Sequence, residues 1–197
     1  MKLQQGENEM GIYLNPENVD FQEVLNSKIY VDKSELIQYT NSVLRTTQKY
    51  ICVSRPRRFG KSMAANMLTA YYSRGCDSRG LFQGLKIATH SDFEKYLNQY
   101  NVIHLNMRDY LTESENMKEL IQFVEDDLLD ELQQEFSDIR MPRRKTLVKV
   151  LEQAFVQYKI PFVFIIDEWD CIFRVHIRDA ASQIEYLDFL RNLLKDK

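Results

Sequence analysis

The chain has 197 residues, 44% of them apolar and 28% charged, enough for one compact core. Its net charge of −3 gives no bulk electrostatic pull toward nucleic acid or anionic lipid. No segment approaches the roughly twenty apolar residues of a membrane helix, and the polar start MKLQQGENEMG lacks the apolar core of a signal peptide, so a cytoplasmic location without a membrane partner is expected.

Residues 1–10 read as a loose tail, and Phe21, Val24 and Leu25 as a short helix. Residues 29–31 read as a brief extended piece. Asp32 and Glu35 have the spacing of a capping box, opening a helix to about residue 44 that buries Leu36, Ile37 and Val43. Residues 50–54 read as the first core strand. The turn after it closes on Gly60-Lys61-Ser62, and a helix over 61–74 packs Met63, Met67, Leu68 and Tyr71.

Residues 101–107 form the next predicted strand. A long helix over 114–136 places Met117, Leu120, Ile121, Val124, Leu128 and Leu132 at three- and four-residue steps. A helix over 145–158 turns Leu147, Leu151, Ala154 and Phe155 inward. Residues 162–166, five bulky apolar side chains, fit a strand buried on both faces that ends on Asp167-Glu168. A last helix over 180–194 presents Ile184, Leu187, Leu190 and Leu194. Strands separated by helices, without hairpin signals, predict a three-layer α/β/α fold around a mainly parallel sheet. No repeat or linker divides residues 11–197, so a single domain is expected.

The order strand, Gly-Lys-Ser turn, helix is how proteins cradle nucleotide phosphates, because backbone N–H groups and the positive helix end face the anion. Lys61 can reach the β- and γ-phosphates, and the Ser62 hydroxyl can ligate Mg²⁺. Asp167, at the end of a core strand, can hold the same Mg²⁺, while Glu168 can polarise the attacking water. Lys61 and Glu168 are therefore the candidate catalytic residues, and Ser62 and Asp167 the metal ligands. Arg57, Arg58, Phe59, Gly60, Lys61, Ser62 and Met63 are the candidate nucleotide contacts.

The loop departs from the usual Walker A pattern G-x-x-x-x-G-K-[ST], because Arg55 stands at the first glycine. Arg55, Arg57 and Arg58 can add charge to the phosphates or to a partner's site; the alternative is that they face solvent or pair with acids. Pro56 stiffens the turn, and Phe59 is expected to pack beneath it or to stack on a base. Asp32 and Lys33 are weaker contact candidates, and capping alone accounts for Asp32. Asp170 is a metal or water ligand, a solvated carboxylate, or the partner of an arginine. Asn106 and Asp109 can face the same crevice or simply begin a turn. The loop cluster Arg140, Arg143, Arg144 and Lys145 leaves nucleic acid open as a partner, although a solvated charge run is commoner. Cys52, Cys76 and Cys171 are unpaired in spacing, and His90, His104 and His176 stand alone, so neither disulfide nor zinc is expected.

Residues 54–62, SRPRRFGKS, resemble the R-P-R-R-F-G-K-S phosphate loop of bacterial and archaeal AAA-ATPase-like proteins. Residues 30–34, YVDKS, are similar to that family's Y-V-D-K-T, and residues 165–170, IIDEWD, to its I-I-D-E-Y-D Walker B segment, with Trp169 for the tyrosine. Residues 81–85, LFQGL, extend the resemblance, which runs from about Gly11 to the last residue. It implies a RecA-like ATP-binding domain with the additional strand, with ATP and Mg²⁺ as ligands; residues 11–48 are read as a cap beside the nucleotide base within the same domain. No N-K-x-D guanine signature is present, which favours ATP. The resemblance also implies a further strand with a polar sensor, a helical lid and often a nuclease-like domain beyond Asp167. Few residues follow it, so the sensor and lid part is expected to be missing and turnover incomplete. A protein partner or the missing domain would receive the conformational change. The alternatives are a non-hydrolysing nucleotide switch, and a protein- or DNA-interaction module with a degenerate phosphate loop.

Overall fold

A computed structural model describes residues 11–54, 56, 58–139, 142–143 and 145–195. The first half is helical: α1 Val19–Leu25, α2 Glu35–Val43, α3 Lys61–Tyr72, α4 Arg79–Phe82, a 3-10 turn Lys86–Thr89, and α5 Phe93–Tyr96. Strand β1, Asn101–Asn106, is followed by α6 Met107–Glu113, α7 Met117–Glu135 and α8 Leu147–Tyr158. Strand β2, Phe162–Asp167, leads into α9 Cys171–Val175 and α10 Ala180–Leu194. None of these helices is long and apolar enough to cross a membrane.

The two strands are parallel, from Asn101 opposite Phe162 to Asn106 opposite Asp167. Side chains alternate across a strand, so the sheet presents two apolar faces. Ile103 and Leu105 join Phe162, Phe164 and Ile166 in a core with α6 to α10. Val102 joins Val163 and Ile165 in a second core with α1 to α5. Helices thus cover both faces, as the alternating pattern predicts. In α7, Leu120, Val124, Leu128 and Leu132 are all fully buried. Truncating any one of these leucines to alanine costs about 2–5 kcal/mol.

The sheet is smaller than expected. Residues 50–54 are not a strand: among the described residues they form no ladder with the sheet, and Tyr50, Ile51 and Val53 are exposed at 54%, 39% and 44%. A strand exists only through ladder bonds to a neighbour, and among the described residues β2 pairs with β1 alone. For the same reason β2 is half-buried along its whole length rather than buried on both faces. The outer edge of β1 is covered instead by residues 13–15. His104 N–H donates to Tyr13 C=O at 2.9 Å, and Asn15 N–H to Val102 C=O at 2.7 Å. The Glu131 carboxylate on α7 holds that segment by accepting the N–H groups of Ile12, Tyr13 and Leu14.

Helix faces differ in detail from the sequence reading. Phe155 is 41% exposed and Ile184 58% exposed, while Val150, Tyr186, Phe189 and Leu193 are buried. In α10 the buried stripe follows Tyr186, Phe189, Leu190 and Leu193, a three- and four-residue rhythm shifted from the one read through Ile184. Met63 is 38% exposed because it sits in the first turn of α3, beyond the core contacts of Met67 and Tyr71. At α2 the capping box does not form: no side chain caps the helix. The Asp32 carboxylate instead accepts the Ser34 N–H at 2.8 Å and the Lys86 N–H at 2.9 Å.

Candidate functional site

Helix α3 begins where the phosphate-cradle reading requires. Gly60 is its N-cap, with φ +72°, and its carbonyl accepts the Ala64 N–H at 3.1 Å. Arg58, two residues earlier, also has positive φ, at 68°. A helix start leaves its first amides without intrahelical acceptors. Among the described residues no side chain caps α3, and no acid lies in its first turn. This end is therefore a cluster of donors at the positive pole of the helix, fit for an anion. Lys61 is half-buried there, and Ser62 is exposed beside it.

The other end of α3 sets its direction. Arg74 N–H donates to Tyr100 C=O at 3.0 Å, and Ser73 bridges Tyr100 in parallel, just before β1. A helix of 12 residues spans about 18 Å, and a strand of 6 residues about 20 Å. Packed on β2, α3 runs back along the sheet toward the ends where β1 and β2 finish. Asp167 has the same parity as Val163 and Ile165, so it lies on the α3 side of the sheet. Two tyrosines fix α3 to α2. Tyr72 Oη donates to Asn41 Oδ1 at 2.7 Å and lies 2.6 Å from Thr40 Oγ1, and Asn41 Nδ2 donates to Tyr71 Oη at 3.2 Å.

The acid segment turns sharply after β2. Asp167 Oδ1 accepts the Glu168 N–H at 2.9 Å, Glu168 has φ +51°, and its carbonyl accepts the Cys171 N–H at 2.9 Å to start α9. Glu168 is bonded through its carboxylate to Arg174. Arg174 also reaches Asp170 at 3.2 Å. Its bond to Glu168 raises the guanidinium above its ordinary pKa. Cys171 is buried beneath, and that burial pushes its thiol up to about 11, against the pull of Arg174. His104 lies on the same face of the sheet as Asp167. Burial pushes its imidazole down, against the Asp167 charge that pulls it up.

Of the remaining sequence candidates, Arg55, Arg57, Arg140 and Arg144 lie outside the described residues. Phe59 does not pack beneath the loop: it is 62% exposed. The space beside the turn belongs to Lys33, whose ammonium donates to Phe59 C=O at 2.7 Å. Asp170 takes the arginine-paired role, one of its three readings. Asn106 accepts the Arg108 N–H at 3.1 Å and caps α6, and Asp109 is exposed in the first turn of that helix. Arg174 was not legible as a site residue, although Asp170 and Arg174 have the i,i+4 spacing of a helical ion pair. A cleft of about 530 Å³ is lined by that arginine together with Arg108, Thr112, Asn116, Cys171 and His176. A second, of about 600 Å³ between α7 and α10, is lined by no residue of either motif.

Among the described residues no three His, Cys, Asp or Glu side chains converge as a metal centre. One hydroxyl and one carboxylate suit Mg²⁺, which keeps several waters and shares phosphate oxygens. They do not suit a metal that needs a cage of protein ligands. A family model described as predicted AAA-ATPase matches residues 19–196. No curated protein and no solved structure matches the chain.

Proposed function

Because the chain belongs to the AAA-ATPase-like family, we propose that it is a Mg²⁺-dependent ATP-binding domain with the residues of an ATP hydrolase. The observation that carries this reading is the start of α3 behind Gly60, without a side-chain cap or an acid among the described residues, on the face of the sheet where β2 ends in Asp167. In it the amides of the first turn of α3 bind phosphate oxygens, and Lys61 supplies the neutralising ammonium. Ser62 and Asp167 would hold Mg²⁺, which supplies charge neutralisation on the phosphates. Glu168 orients a water and accepts its proton. Arg58, Phe59 and Met63 line the approach to the nucleotide, and Arg57 belongs to the same loop. Movement at the nucleotide would be passed to a protein partner or to a further domain.

Glu168 must leave Arg174 to act as the base. That pairing favours, as a second reading, a switch that binds ATP and turns it over slowly. Calorimetric titration with Mg²⁺-ATP tests the first step. Saturable binding at one site, lost in Lys61→Ala and weakened by chelating Mg²⁺, is the expected result. Phosphate release by the wild type, absent in Glu168→Gln, separates the hydrolase from the switch. A well-folded protein that binds no nucleotide at millimolar concentration contradicts both.

A further inference from the structure

The residues before α2 join three parts of the molecule. Asp32 accepts the N–H groups of Ser34 and Lys86, and buried Ser34 Oγ accepts the Ile87 N–H at 3.1 Å. These bonds fix the start of α2 to the 3-10 turn. Lys33 lies between the two in sequence, and its backbone is held in turn, its carbonyl accepting the Leu36 N–H at 2.9 Å. Its side chain goes the other way. Lys33 Nζ donates to Phe59 C=O at 2.7 Å, and a Cβ added to Gly60 would lie 2.8 Å from that same Nζ.

The turn that receives this bond is one the loop does not favour by itself. Arg58 and Gly60 both have positive φ, and for Arg58, which carries a Cβ, the left-handed region is unfavourable. A charged donor from a rigid neighbour is stronger than a neutral one and holds the peptide in place. It also leaves a positive charge beside the loop that is meant to receive an anion.

We propose that Lys33 is a positioning residue of the ATP site, anchored by the Asp32–Ser34 junction, which fixes the Phe59–Gly60 peptide so that the amides leading into α3 are preset for phosphate. This inference rests on the ATP-site reading above. Lys33 acts through the loop and is not itself the phosphate ligand. The junction also makes the 11–48 segment part of the nucleotide site.

The test compares wild type with Lys33→Met, Lys33→Arg and Lys61→Ala. Three quantities are measured: Mg²⁺-ATP affinity by titration, the melting midpoint without nucleotide, and amide hydrogen exchange over residues 59–62. Lys33→Met is expected to weaken Mg²⁺-ATP about tenfold, the scale of one charge-assisted hydrogen bond. It should also speed exchange of the loop amides while moving the nucleotide-free midpoint by no more than about 2 °C. Lys33→Arg, which keeps a charged donor, should recover most of the affinity. Unchanged binding in Lys33→Met, with binding lost in Lys61→Ala, overturns the role of Lys33 and leaves the ATP site standing. A fall in midpoint that matches the loss of affinity and is not rescued by Lys33→Arg makes Lys33 merely structural and also overturns it. No binding by wild type, or equal binding by Lys61→Ala, removes the ATP-site reading and this inference with it.

Discussion

Arg174 holds Glu168. The acid best placed by sequence to orient water is bonded to an arginine six residues on, and the same guanidinium takes Asp170 one helical turn away. The two side chains of the Arg174–Glu168 pair are 34% and 22% exposed, so water screens the interaction and its strength is modest. A pair of this strength can restrain Glu168 and still release it.

Replacing Arg174 should therefore act on turnover and not on binding. Arg174→Gln is expected to raise the rate of phosphate release by up to about fivefold, the kinetic equivalent of one exposed ion pair. Mg²⁺-ATP affinity should stay within about twofold, since no phosphate contact is assigned to Arg174. Single-turnover phosphate release checks this, and a slower rate would mean that Arg174 orients Glu168 for catalysis.

Glu168→Gln should separate binding from chemistry. The amide keeps the size of the side chain and can still point at water, but it cannot take a proton. Phosphate release is expected to fall about a hundredfold or more, with nucleotide affinity nearly unchanged. Equal rates in the two proteins would place the base elsewhere.

Gly60→Ala should damage both fold and site. The position has φ +72°, and the new Cβ would meet Lys33 Nζ at 2.8 Å. Left-handed backbone costs a residue with a Cβ about 1–2 kcal/mol, which for a chain of this size lowers the midpoint by about 2–8 °C. Thermal unfolding checks the stability, and titration should show weaker nucleotide binding as the lysine is pushed off the Phe59 carbonyl.

The Asp32 junction should fail in acid. Burial works to raise this carboxyl, but the amides of Lys86 and Ser34 outweigh it and hold the group below its ordinary value of 3.8. Because the folded value is the lower one, its stabilisation is complete above pH 3.8 and is lost as pH falls through the folded value. At pH 7, Asp32→Asn is expected to melt about 1–4 °C below wild type. The difference should narrow as pH falls below 3.8. A difference independent of pH would mean that Asp32 acts through shape rather than charge.

The parts of this fold that sequence makes legible are those with long periodicity or long apolar runs. The bounds of α10 and the five inward positions of α7 follow from three- and four-residue spacing, and β2 from an unbroken apolar run. Helices α4, α5 and α9 have four or five residues, too few to show a period. Residues 50–54 have the composition of a strand, but pairing is a property of the neighbour and cannot be read from the run itself. The same limit applies at the site. Gly60, Lys61 and Asp167 are named by local pattern. The bonds of Lys33 to Phe59 and of Arg174 to Glu168 depend on backbone turns at positive φ and on contacts that local spacing does not encode.

The most direct measurement is thermal unfolding of wild type and Lys61→Ala, each with Mg²⁺-ATP, with Mg²⁺-ADP and without nucleotide. A ligand at a hundred times its dissociation constant stabilises the folded state by about 2.7 kcal/mol. For a domain of this size that is a rise of roughly 5–10 °C. ATP binding at the α3 loop gives such a rise with Mg²⁺-ATP in the wild type and none in Lys61→Ala. No rise in the wild type at millimolar nucleotide, or the same rise in both proteins, would contradict it.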